Sequence, residues 1–208
     1  MRRKFGTICM VLGAALLLGA LSLFVHNRRE ADEAELAAIN LLPQLVEEME
    51  QNQSQQQESE NLNIEPVGTA LDPRAFKMDE IEIDGYGYIG YLSIPALELE
   101  LPVMGDWDYA RLKIAPCRYT GTIKGENLVI MAHNYDRHFG RLSKLSEGDS
   151  VLFTDVNGVV TQYEVVGFDM LAPTAVEEMP SGAYDLTLFT CTYGGQNRVT
   201  VYCDRTGK

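Results

Sequence analysis

Leu186-Thr187-Leu188-Phe189-Thr190-Cys191 is an apolar, β-branched run that ends in a cysteine. Seven residues later Arg198 opens a second such run, Arg198-Val199-Thr200-Val201-Tyr202, with Gly194-Gly195 between the two. Two strands joined there set a thiol at the tip of one and a fixed cation at the root of the next. A cation beside a thiol favours the thiolate, which is the nucleophilic form. The planar guanidinium of Arg198 also suits an oxyanion or a polarised carbonyl. Thr190 can add a hydroxyl or a backbone contact to the same place, although its β-branched side chain serves the strand equally well.

Such a thiol needs a proton-transfer partner, and the chain has three histidines. His26 closes an apolar segment. His138 lies in the polar stretch Asp136-Arg137-His138-Phe139-Gly140. His133 follows the strand-like run Asn127-Leu128-Val129-Ile130-Met131-Ala132, so rigid structure would hold it, and it is the better candidate for the acid–base role. The cysteines are not in CxxC spacing, nor the histidines in HxxxH spacing, so neither a metal nor a cofactor is expected.

The elements that must position these residues are short and β-rich. Runs at 87–94, 99–104, 127–132, 150–155, 160–168, 185–191 and 198–204 are separated by turn signals. Asn157-Gly158 is the clearest hairpin signal, and 108–113 and 174–180 read as short helical turns. A mostly β fold that closes into a barrel follows.

Thr187-Leu188-Phe189-Thr190-Cys191 resembles the TLxTC motif of sortases, the cysteine transpeptidases anchored in Gram-positive membranes. Ile89-Gly90-Tyr91-Leu92-Ser93-Ile94-Pro95 with Leu101-Pro102-Val103 is similar to the first strands of that family. Tyr119-Thr120-Gly121-Thr122 and Asn127 to His133 are similar to its segment ending in histidine. The likeness covers residues 85–205. It implies a closed eight-stranded sortase β-barrel with short helices and a catalytic His133, Cys191 and Arg198. Asn134-Tyr135 after the histidine resembles class B and clostridial-type members, and the Gly194-Gly195 turn is shorter than the family's usual loop. Pilus-building members carry an Asp-Pro-aromatic lid. In Asp72-Pro73-Arg74-Ala75-Phe76 two residues separate proline from the aromatic ring, so 66–80 reads as an ordered lead-in instead. Some class A members bind calcium through loop acids. Asp149, Asp155, Glu164 and Glu177-Glu178 lie in the corresponding region, where solvation explains them more simply.

Residues 5–25 carry no charge and are long enough to cross a bilayer, with Arg2, Arg3 and Lys4 before them. The chain then divides into a cytoplasmic N-terminus (1–4), a transmembrane signal anchor (5–25), an acidic, Gln-rich helical or disordered stalk (26–65) and a catalytic barrel domain (66–208). The basic flank points the N-terminus inward and the domain to the cell exterior. In the stalk, Leu36, Ile39, Leu42 and Val46 recur at helical spacing. Pro43 should kink or break that helix, and Gln51 to Asn63 reads as disordered.

The formal charge is −13, with ten acids and no base in residues 30–65. An acidic chain excludes a nucleic-acid partner and argues that the head does not lie on anionic lipid. Of the four cysteines, Cys9 falls in the anchor, Cys203 shares parity with core-facing Val199 and Val201, and Cys117 precedes a turn. The last two read as unpaired structural thiols.

The resemblance implies that a C-terminal sorting motif on a secreted surface protein is cleaved through a Cys191 thioester. The acyl group then passes to an amine such as lipid II, a peptidoglycan cross-bridge or a pilin lysine. Two other readings use the same residues: an extracellular cysteine peptidase that only hydrolyses, and a tethered binding module in which Cys191 is inert.

Overall fold

The computed structural model describes residues 2–60, 78–176 and 183–207. Residues 72–76, Glu177-Glu178 and the end of the 169–182 connection lie outside the described residues. Nine strands form one sheet: β1 (Ile81–Ile83), β2 (Tyr86–Ile94), β3 (Leu99–Met104), β4 (Cys117–Thr120), β5 (Leu128–Ala132), β6 (Ser150–Asp155), β7 (Val160–Leu171), β8 (Leu186–Cys191) and β9 (Arg198–Arg205). Their order is β1-β2-β3-β4-β5-β8-β9-β7-β6, and β2 also pairs with β6. That last pairing closes β2 to β9 into the eight-stranded barrel expected from the sequence, with β1 attached outside it.

Strand patterns follow position in the ring. In β7 Thr161, Tyr163 and Val165 are buried while Gln162 and Glu164 face water, the period of a strand covered on one side. In β8 every residue from Leu186 to Thr190 is buried. β8 pairs in parallel with β5, and such pairs are covered on both faces and read as continuous apolar runs. Leu186 and Leu188 enter the barrel core with Ile130, Phe153 and Val201, whereas Phe189 packs outside with Val129. Two strands escaped the sequence pattern. β1 has three residues, and β4 touches β3 at the single pair Met104–Cys117.

The first helix, α1 (Arg2–Glu60), is continuous and corrects three expectations. Pro43 does not break it. Proline removes one helical hydrogen bond, that to the Ile39 carbonyl, and both Pro43 and Ile39 are on the solvent side. Packing by Leu41, Leu45 and Met49, on either side of the proline, holds the axis in place. Residues 51–60 are helical rather than disordered, consistent with the good helix propensity of Gln. Gln53 lies over the Asn157-Gly158 turn, where a Cβ on Gly158 would fall 2.0 Å from its Nε2.

The buried face also differs from the expected stripe. Leu36 and Ile39 are exposed, and Ala34, Ala38, Leu41, Leu45 and Met49 turn inward. Both stripes have helical spacing. The barrel selects the one that starts with two alanines, which permit close approach. Leu41, Leu45 and Met49 share a core with Ile81, Tyr88 and Met104. Residues 34–53 of the stalk are therefore packed on the barrel, not held away from it.

Closure rests on Gly90. Its φ is +142°, and a Cβ there would lie 2.0 Å from the Thr154 carbonyl oxygen across the β2–β6 seam. Gly90→Ala should cost about 2–4 kcal/mol of stability through combined backbone strain and overpacking. Urea denaturation checks this, and a midpoint equal to wild type would show that the seam yields.

Candidate active site

The strand registers assemble the candidate residues. β5 and β8 run parallel with Ala132 opposite Thr190, so the next residues, His133 and Cys191, leave the two strands side by side. β8 and β9 run antiparallel with Cys191 opposite Arg198. Three neighbouring strands thus deliver an imidazole, a thiol and a guanidinium to one end of the barrel. Cys191 shares parity with Phe189, and His133 with Met131 and Val129, all on the outer face.

Thr190 lies near the end of β8, one residue before Cys191. It is buried, and its hydroxyl donates to the Ala132 carbonyl at 2.8 Å. That bond ties the residue before the cysteine to the residue before the histidine. Arg198 is only partly free, because its Nη1 donates to the Gly195 and Asn197 carbonyls at 3.1 and 3.2 Å. The short Gly-Gly turn therefore orients the guanidinium. Gly194 and Gly195 have φ of +86° and +70°, which glycine adopts without strain.

His133 is partly buried, and its Nε2 has no hydrogen-bond partner among the described residues. Burial, and then the nearby Lys113 cation, lower its pKa, with Glu30 opposing. The imidazole is therefore neutral near physiological pH and able to accept a proton. Tyr135 leans against it with ring centroids 4.9 Å apart, and His138 lies 5.6 Å beyond Tyr135. His138 is completely buried, so it cannot meet substrate. Burial, then the field of His133, lower its pKa to about 4 against an opposing contact with the Ala34 backbone.

An apolar floor lies beside the cysteine. Trp107, Tyr119 and Phe189 form a row with centroid spacings of 5.7 and 5.5 Å, supported by Val129, Met131 and Leu171. It could take the side chains of an extended peptide. Sequence reasoning missed Trp107 and Tyr119, although the shared parity of Phe189 and Cys191 was a usable signal.

On the other side, a cleft of about 720 Å³ separates His133 and Tyr135 from α1, where Arg28, Glu30 and Glu35 form the wall. Two ion pairs bridge helix and barrel nearby, Glu30–Lys113 at 2.9 Å and Glu35–Arg137 at 3.0 Å. The segment behind His133 is therefore fastened to α1.

Cys117 and Cys203 are unpaired and buried, and Cys9 is unpaired and exposed on α1. Burial first, with neighbouring carboxylates adding, pushes Cys117 and Cys203 up to about 12, leaving them poor nucleophiles. Asp149 and Asp155 cap turns, accepting from the backbone N–H groups of Ser146 and of Asn157 and Val159.

Two outcomes are expected. Thr190→Val should lower kcat more than KM and cost about 1–2 kcal/mol of stability, since it frees a buried carbonyl. Steady-state kinetics and urea melts check both, and an unchanged kcat would separate the bond from the site. For His138, the folded state keeps the ring neutral while the unfolded chain protonates near pH 6.5. Its contribution is present above pH 6.5 and is lost as pH falls towards about 4, up to about 3 kcal/mol. His138→Gln should flatten stability over that interval, and a slope identical to wild type would count against it.

A family model of the sortase domain matches residues 92–206. No curated protein matches the chain. Among solved structures it is similar to sortase C of Streptococcus pneumoniae, at 23% identity and a TM-score of 0.57 over 81% of this chain and 97% of that one. It is similar to sortase C of Clostridium perfringens at 22% identity and a TM-score of 0.52, over 80% and 90% of the two chains. It is also similar to sortase C1 of Streptococcus agalactiae at 25% identity and a TM-score of 0.50, over 61% and 72%.

Proposed function

The chain belongs to the sortase family, a family of cysteine transpeptidases, and on that premise we propose that Cys191, His133 and Arg198 carry its reaction on the outer face of the barrel. The observation that supports this reading is the register of β5, β8 and β9, which sets the three at adjacent strand ends.

His133, held neutral by burial, takes the Cys191 proton as the sulfur attacks a peptide carbonyl in a sorting motif. The carbonyl oxygen gains negative charge, and the guanidinium of Arg198 has the charge and donors to stabilise it. Collapse of this intermediate breaks the C–N bond, and His133 passes its proton to the leaving amine. A thioester to Cys191 remains. An incoming primary amine attacks the thioester, His133 takes a proton from the new nitrogen, and C–S cleavage returns the thiol. The two halves mirror each other, so one acid–base group serves both. Aminolysis must outrun hydrolysis, which requires an amine held close and water excluded.

The apolar run of α1 suits a single-pass anchor. From Ile8 onward its most apolar window has a mean hydropathy of 2.6, and its side chains are 0% buried. The basic residues before it favour an inward N-terminus and an exterior catalytic domain. The domain limits follow the same reading: 1–4 inside, 5–25 spanning, 26–65 between membrane and barrel, and 66–208 catalytic. The substrates would be secreted proteins with a sorting motif, and the acceptor an amine of the cell wall or of a pilin lysine. One neighbour of similar fold, from Streptococcus pneumoniae, is described in connection with pilin substrate specificity.

A peptide library incubated with the purified chain and an added amine, read by mass spectrometry, tests the reaction. Ligated products are expected, and cleaved acids alone would favour the hydrolytic reading. Cys191→Ala should abolish both. Arg198→Lys keeps the charge but loses the fork, so kcat/KM should fall about 10²–10³-fold, and wild-type turnover would exclude the oxyanion role.

A further inference from the structure

The cleft beside His133 has an unusual second end. Its lining includes Phe24, inside the apolar run of α1, and Tyr193 and Gly194 in the turn between β8 and β9. The turn two residues beyond Cys191 is therefore level with the last residues of the membrane-crossing segment. α1 is an unbroken helix here, and a helix rises about 1.5 Å per residue. Glu30 and Ala34, which meet the barrel, stand roughly 8 and 14 Å above Val25 on that scale. A bilayer's headgroup region adds only about 5–8 Å on each side of its hydrocarbon core. The barrel has no room to stand clear of the surface, and the β8–β9 turn shares a cleft with Phe24 at that level.

The turn is also chemically suited to that place. Tyr193 is 85% exposed. Tyrosine is enriched at membrane–water boundaries, where its ring meets acyl chains and its hydroxyl meets water. Arg28 and Arg29 follow the apolar run, below the acids Glu30, Asp32 and Glu35 that line the upper part of the same cleft.

We propose that the β8–β9 turn docks into the headgroup layer of the bilayer that α1 crosses, with Tyr193 as its interfacial anchor, so that the catalytic cleft opens along the membrane surface. This rests on the anchor reading of residues 5–25. It refines the expectation that the acidic head avoids lipid, because the contact is confined to one aromatic turn level with Phe24.

The full chain is reconstituted in phosphatidylcholine–phosphatidylglycerol vesicles carrying a spin label near the headgroup or deep in the acyl region. Trp107 is the single tryptophan, so Trp107→Phe gives a silent background. Tyr193→Trp and Phe24→Trp are then made separately in it. Stronger quenching at position 193 by the shallow label than by the deep one supports the proposal. Quenching at position 24 with none at position 193 overturns it while the anchor stands. Quenching at neither position overturns both. Inserting two helical turns, about seven residues and ~10 Å, between Val25 and His26 keeps the docking face of α1 and lifts the barrel. Quenching at position 193 should be lost there, and its persistence would overturn the geometry.

Discussion

Everything at the candidate site depends on the parallel pairing of β5 with β8. Parallel ladders are spaced evenly, so one register fixes all others along the pair. Here the register sets Ala132 opposite Thr190, and the threonine hydroxyl closes on the alanine carbonyl at the last rung. A slip of one residue would invert every side chain, sending Cys191 and Phe189 inward and Leu188 outward. The barrel core, with Leu186 and Leu188 among its fully buried members, opposes that slip. Core packing and chemical alignment are thus one constraint, satisfied by alternate residues of a single strand.

α1 adds a second layer. It grips the barrel with a strip of small and aliphatic residues and then with two ion pairs near His133. The apolar strip supplies adhesion. The ion pairs are partly exposed and contribute little energy by themselves, so their effect is orientation. His138 sits under that junction, against Ala34 on one side and Tyr135 on the other. The histidine segment is thereby held from both barrel and helix.

The sequence made the central features readable because they were written in local patterns. Strand ends at Cys191, Arg198 and His133 followed from short β-rich runs, and the closed barrel from their number and spacing. Other features depend on partners distant in the chain. Nothing near Pro43 announces that the helix will run on unbroken against a barrel, and nothing near Leu36 shows that Ala34 faces inward instead. The Thr190 hydroxyl bonds a carbonyl on another strand, a partner its local sequence does not announce. β4 is too short for periodicity and exists because β5 pairs along it. Tertiary contact decided each of these.

The distribution of sulfur has a quantitative consequence. Of four cysteines, Cys9 falls in the apolar run, and Cys117 and Cys203 are sealed inside the fold, each without a disulfide. The fold then forms without a disulfide-forming step, and no cystine competes with Cys191 for exchange. A folded barrel domain offers one accessible sulfhydryl, whereas an unfolded one offers three. The stoichiometry of thiol modification thereby becomes a direct count of correctly folded molecules.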